Sequence, residues 1–250
     1  MKIPKQKTSP YWPVEAAILH IPHASTALPR DVEFLLSPEA LAYEVDAMTD
    51  HSTDKLFQLS GVQRCVFPVS RLVLDPERFL EDEMERVGMG VVYTHGSSGE
   101  RLRHISNVER QRLIDQYYHP HHEQLTQMVG HTLSLYDSCL IIDCHSFPAE
   151  PLPYETDAHR PDICIGTDEF HTPPELTIKL VAAFEGKGYS VSINSPFAGS
   201  LVPLKYYQNE QRVQSVMIEI NRGLYDNPIK MGELKAQLKQ IMTTFLGEHK

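Results

Sequence analysis

Apolar residues along this chain arrive in two rhythms, short unbroken runs and longer stretches that repeat every three or four positions, and the two alternate from end to end. The first run, Ala16-Ala17-Ile18-Leu19-His20-Ile21, lies between Pro13 and Pro22 and predicts a buried first strand. Ser37-Pro38-Glu39 then offers a capping serine and a proline suited to a first turn, which predicts a helix continuing to about Leu59, before Gly61 stops it. Residues 64–69 and Leu72-Val73-Leu74 read as strand or strand edge. Ser106-Asn107-Val108-Glu109 has the form of a capping box, and Leu113, Tyr117, Leu125, Met128 and Thr132 recur behind it at helical spacing, so a long helix should end near Tyr136.

Cys139-Leu140-Ile141-Ile142-Asp143 is apolar almost throughout, as expected of a central strand covered on both faces, and its end delivers Asp143-Cys144-His145-Ser146. A proline-rich loop over 147–161 precedes a strand at Ile163-Cys164-Ile165. Thr172-Pro173-Pro174-Glu175 should cap a helix that breaks at Gly186 and Gly188. Residues 189–193 and 216–220 predict the last strands, and 229–246 a closing helix. This alternation implies an α/β fold, a sandwich around a mostly parallel or mixed central sheet, and 250 residues fit one domain spanning 1–250.

Composition narrows the partners. Thirty-three acidic against 23 basic residues give a net charge of −10, which repels a phosphate backbone and argues against nucleic acid. No apolar run approaches the roughly 20 residues that span a bilayer, and Met1-Lys2-Ile3-Pro4 lacks the apolar stretch of a signal peptide, so the expectation is no membrane and a cytoplasmic address. Cys65, Cys139, Cys144 and Cys164 show no C-x-x-C spacing and read as reduced core residues. Oligomeric state is left open by the pattern.

In open α/β sheets, ligands gather beyond the carboxyl ends of strands. Those ends carry His23, Arg71, Arg78, Asp143, His145 and Glu219. Two imidazoles past the two most apolar strands invite a metal, and a catalytic zinc needs a third protein ligand. Asp46, Asp50 and Asp54 follow one another at four-residue spacing and would share one helix face, either as a solvated acidic stripe or beside a cation. Asp143, two residues before His145 on an extended segment, points the same way and could orient that imidazole. Glu219 inside Val-Met-Ile-Glu-Ile should be buried, and a buried carboxylate needs a partner or a function.

Seven segments in order resemble the N-formylglutamate amidohydrolases, a family similar in architecture to the zinc carboxypeptidases and the aspartoacylase-like deacylases. They are Ile21-Pro22-His23-Ala24-Ser25, Asp50-x-x-x-Asp54-Lys55-Leu56-Phe57, Ser70-Arg71-Leu72-Val73-Leu74-Asp75-Pro76-Glu77-Arg78, Tyr118-His119-Pro120-His121-His122, Ile142-Asp143-Cys144-His145-Ser146, Asn194-Ser195-Pro196-Phe197-Ala198-Gly199 and Ile218-Glu219-Ile220-Asn221-Arg222-x-Leu224-Tyr225. The resemblance implies a three-layer, zinc carboxypeptidase-like sandwich and a zinc-dependent hydrolase acting on a small acidic N-acyl amino acid. It implies His23, Asp50 and His145 as zinc ligands; Asp46, one helical turn from Asp50 on the expected shared face, is the reserve carboxylate, and Asp143 and Asp54 would support the ligands from behind. Glu219 would be the general base, with His119 and His122 next in line. Arg71 would polarise the carbonyl or share with Arg78 the grip on a substrate carboxylate, and Asn194 would shape the pocket. A deacylase or peptidase on another acidic N-acyl substrate, or a binding protein for an acidic metabolite, would use the same frame. Two positions depart from the family pattern: Glu77 stands where the family has asparagine in Asp-x-Asn-Arg, and Ala24-Ser25 replaces Ser-Gly. Both should touch the substrate end more than the metal end.

Overall fold

The computed structural model describes residues 12–247, so the start Met1-Lys2-Ile3-Pro4 lies outside the described residues. The strands are β1 (Ala17–Ile21), β2 (Gln63–Val66), β3 (Cys139–Phe147), β4 (Ile163–Gly166), β5 (Val191–Ile193) and β6 (Val213–Asn221). They form one sheet in the order β2-β1-β3-β6-β4-β5. The first four run parallel; β4 turns against β6, and β5 follows β4. The sheet is therefore mixed. β3 continues to Phe147, because it pairs with β6 along its whole length, from Cys139 opposite Val213 to Phe147 opposite Asn221. Asp143 and His145 thus stand within the central strand and not beyond it.

The helices are α1 (Pro38–Met48), α2 (Thr53–Leu56), α3 (Asn107–Leu113), α4 (His119–Leu135), α5 (Pro174–Glu185) and α6 (Pro228–Leu246). Leu19, Leu140, Ile142, Val216 and Ile218 share one face of the sheet and are buried with residues of α2, α5 and α6. Ile18, Cys65 and Ile141 face the other way, against Leu125 and Val129 of α4. Alternate residues of the same strands so serve both cores, which is the period-two logic of a three-layer sandwich. All four cysteines are buried and unpaired. Among the described residues, no helix is long and apolar enough to cross a membrane.

Local expectations fail in four places. The helix expected from Ser37 to Leu59 ends at Met48: Thr49 turns extended (φ −83°, ψ 135°), Ser52 adopts a left-handed conformation (φ 61°), and only the short α2 follows. Leu72-Val73-Leu74 is a buried turn, not a strand. Its carbonyls are satisfied by the buried Arg103, whose guanidinium donates to Leu72 O, Val73 O and Tyr93 O at 2.7–2.9 Å. The long helix behind Ser106 is interrupted by a π-helical turn, Ile114–Tyr118. Pro120, just beyond it, has no N–H to donate back and its ring crowds the preceding turn. Thr172 does not cap α5; its hydroxyl donates to Ser215 O at 2.6 Å and accepts from Asp168 N.

Candidate active site

Parallel pairing delivers the first four side chains. His20 lies opposite Asp143, and His145 opposite Glu219, so the four belong to the sheet face that α4 covers. His23 follows two residues after β1 ends and is buried. The turn after α1 brings in Asp50, whose N–H donates to His23 O at 3.0 Å. That turn is held from a distance: Arg222 donates to the carbonyls of Asp46, Ala47 and Thr49 at 2.8–3.2 Å.

Asp50 Oδ2 lies 2.9 Å from His145 Nδ1 and 3.7 Å from His23 Nδ1. Each imidazole meets another carboxylate at its far nitrogen. His23 Nε2 is 2.8 Å from Asp75 Oδ1, and His145 Nε2 is 3.3 Å from Asp143 Oδ1. Asp143 is itself 2.7 Å from His20 Nδ1, and His20 Nε2 is 2.9 Å from His121 Nε2. This is the arrangement in which outer carboxylates fix the tautomer and aim of metal-binding imidazoles. Burial opposes ionisation of Asp50, but His145 and His23 outweigh it and hold its carboxyl below the usual range. Burial also opposes the His145 imidazolium, and Glu77, Asp143 and Asp50 overcome it, so this pKa is raised. Glu219 is pushed up to about 8 by burial, with Asp50 and Glu77 adding to the shift and His145 and His23 opposing it.

His23 Nδ1 and Glu219 Oε2 are both buried without a hydrogen-bond partner. Donor atoms of His23, Glu77 and His145 all lie within 4.8 Å of one another, as do those of His20, Glu77 and Asp143. A divalent cation fits this donor set.

Around the centre opens a cleft of about 690 Å³, lined among others by Arg71, Arg78, His122, Tyr154, Phe197 and Glu219. Arg71 donates to the buried Asp75 at 2.7 Å, and Arg78 stands 3.8 Å from the same carboxylate. The Nε donors of both arginines are buried without an acceptor.

The structure brings His23, Asp50, His145, Asp143, Glu219, Arg71 and Arg78 together. Asn194 it does not: this exposed residue accepts from Thr167 N and donates to Thr167 Oγ1, and is absent from the cleft wall. Asp54 sits on α2, away from the cleft lining, and its carbonyl receives Arg64. Because α1 ends early, Asp46, Asp50 and Asp54 share no helix face; Asp46 is 80% exposed and paired with His51 at 3.0 Å. His119 is exposed beside Asp115, whereas His122 lines the cleft and bonds Pro76 O at 2.7 Å. Glu77, expected at the substrate end, has its carboxylate 3.2 Å from His145 Nε2 and among the imidazoles. Asp75, His20 and His121 went unread as site residues. Asp75 closes an apolar run and His20 lies inside one, the signal that marked Glu219; His121 carries no such mark in its polar surroundings.

The chain matches the family model described as N-formylglutamate amidohydrolase over residues 16–226. It is 25% identical over 249 residues to an N-formylglutamate deformylase of Pseudomonas putida, covering 92% of each chain. In fold it is similar to the crystal structure of an N-formylglutamate amidohydrolase from Ralstonia eutropha JMP134, with a TM-score of 0.79, 22% identity and 92% of each chain covered. A gene product of Agrobacterium tumefaciens superposes with a TM-score of 0.72 at 20% identity, covering 93% of this chain and 92% of that one.

Proposed function

Since this chain belongs to the N-formylglutamate amidohydrolase family, we propose that it hydrolyses the amide of N-formylglutamate, or of a closely related acidic N-acyl amino acid, with zinc held by His23, Asp50 and His145. A single catalytic domain over residues 1–250 belongs to the same reading, as the family match over 16–226 supports. The observation that carries it is the convergence of His23 Nδ1, Asp50 Oδ2 and His145 Nδ1, each imidazole backed by a carboxylate on its other nitrogen. Zinc, when bound, supplies a Lewis acid for the scissile carbonyl and lets water act as a nucleophile near neutral pH.

The chain's own groups do the rest. Glu219, register partner of His145, takes the proton of the attacking water and returns it to the nitrogen as the C–N bond breaks. Burial raises the proton affinity of this carboxyl above that of a surface glutamate, as holding the proton between the two halves of that exchange requires. Arg78 and Arg71 on the cleft wall would meet a substrate carboxylate and the carbonyl oxygen, as guanidinium geometry favours. Asp75 and Asp143 keep the two imidazoles aimed.

The test is turnover of zinc-reconstituted protein on N-formyl, N-acetyl and N-succinyl amino acids, with N-formylglutamate expected to be the best substrate. Glu219→Gln should keep fold and zinc while turnover falls by about two to four orders of magnitude. A stable, zinc-loaded Gln variant of near-normal turnover would remove Glu219 from the reaction and turn attention to His122. No turnover on any N-acyl amino acid would favour a binding protein.

A further inference from the structure

Glu77 occupies a place that three ligands and a base leave unexplained. Its Oε1 lies 3.2 Å from His145 Nε2 and 3.6 Å from His20 Nδ1, on the side that Asp143 occupies, and its Oε2 lies 3.9 Å from His23 Nδ1, the nitrogen assigned to the cation. One carboxylate therefore reaches three imidazoles. It is also the member common to both sets of donor atoms gathered within 4.8 Å. Ligands held at roughly 2.0–2.2 Å from one zinc stand about 3–4 Å apart, so the Glu77–His23 separation suits a shared cation, while it is too long for a hydrogen bond.

Three further observations locate it. His23 Nδ1 is buried and has no hydrogen-bond partner, with Asp50 Oδ2 at 3.7 Å and Glu77 Oε2 at 3.9 Å. The Glu77 side chain is 20% exposed where those of His23, His145 and Asp50 are 7% or less, which places it on the cleft side of the cluster. Its backbone is fixed on both sides: Glu77 N donates to Asp75 Oδ1 at 3.1 Å, and Arg78 N donates to Asp75 O at 3.4 Å. The side chain alone is left to reach inward.

We propose that Glu77 is a fourth protein ligand of the cation in the substrate-free protein, occupying the cleft-side position that a three-ligand catalytic zinc leaves to solvent. The inference rests on the reading that His23, Asp50 and His145 hold a metal, and extends it to a residue at which this chain departs from its family's pattern.

The experiment compares wild type with Glu77→Gln and Glu77→Ala by zinc calorimetry on metal-stripped protein and by the visible spectrum of the cobalt(II)-loaded forms, with circular dichroism checking the fold. Gln keeps the shape of Glu and one accepting oxygen but is a far weaker ligand. Zinc affinity of both variants should fall by more than the ~10–100-fold typical of losing an outer partner, and the cobalt band should change in position and intensity. Unchanged affinity in folded variants, or weakened affinity with a superimposable cobalt spectrum, would overturn the proposal while leaving the metal site intact. A wild-type protein that binds neither zinc nor cobalt would overturn both the proposal and the reading beneath it.

Discussion

Asp75 is fully buried and receives four donors: Arg71 at 2.7 Å, His23 Nε2 at 2.8 Å, Tyr93 Oη at 2.9 Å and Glu77 N at 3.1 Å. Burial would raise its pKa, but Arg71 and His23 outweigh that and hold the carboxyl well below the usual range. One side chain thus ties an arginine of the cleft to an imidazole of the centre. Arg71 and Arg78, alike in the motif, should behave differently. Arg71→Ala strips a buried charge of its partner and should cost about 3–5 kcal/mol in denaturant unfolding. Arg78 is more exposed, at 29% of its side chain, and 3.8 Å from Asp75. Arg78→Ala should leave stability nearly unchanged and raise KM for dicarboxylic substrates far more than for neutral ones; equal losses on both would remove it from carboxylate recognition. The motif could be read as chemistry, but not the division of labour, since Arg71 meets Asp75 only because residues 72–74 turn.

Among the elements, α1 shows where local signals stop. Its start is written in Ser37, whose hydroxyl accepts from Ala40 N, just as Ser106 accepts from Glu109 N at the head of α3. Its end depends on Arg222, 173 residues beyond Thr49, and no neighbouring residue announces it. Had the helix continued, Asp50 would have stacked with Asp46 and Asp54. Instead, the guanidinium collects the last carbonyls of α1, where positive charge is favoured, and frees the turn to carry Asp50 inward. Arg222→Met should therefore lower the melting temperature, by the equivalent of about 1.5–3 kcal/mol for charge-assisted bonds lost, and weaken zinc binding without removing a ligand. Arg222→Lys, a point charge without the fork, should recover only part of either. Normal zinc affinity in a destabilised Met variant would confine Arg222 to stability.

For the whole molecule, strand and helix alternation and the buried β3 were legible, because period-two and helical spacing are local properties. The order of strands and the reversal of β4 and β5 were not, since they depend on pairings far apart in the chain. Buried histidines give the fold a pH dependence of two signs. Burial lowers His121 to about 2, with His20 adding, and lowers His122 to about 4. Both values lie below the ordinary 6.5, so the unfolded chain binds more protons below that point. Their stability is present above about pH 6.5 and is lost on acidification, by up to about 1.4 kcal/mol per pH unit for each histidine. His145 and His23 are raised, because neighbouring carboxylates overcome burial, and their contribution is full below 6.5 and lost as pH rises. Melting of metal-free protein should peak near pH 6.5, and His121→Leu should flatten the acid side; an acid limb equally steep in that variant would mean His121 is not the neutral buried group.

The reversal of β4 has a consequence for how such an enzyme diversifies. Phe147 pairs with Asn221 and Ile163 with Ile220, so the segment between them leaves and re-enters the sheet on either side of one strand, about 10 Å apart across two strand spacings. It supplies Leu152, Tyr154, Glu155, Thr156 and Asp157 to the cleft wall. Doubling the length of such a loop costs only about 0.6 kcal/mol in closure entropy. The segment is an exchangeable cassette: a relative's version can be grafted between the same two anchors, and selectivity can be rewritten while the strands that aim the reacting groups stay as they are.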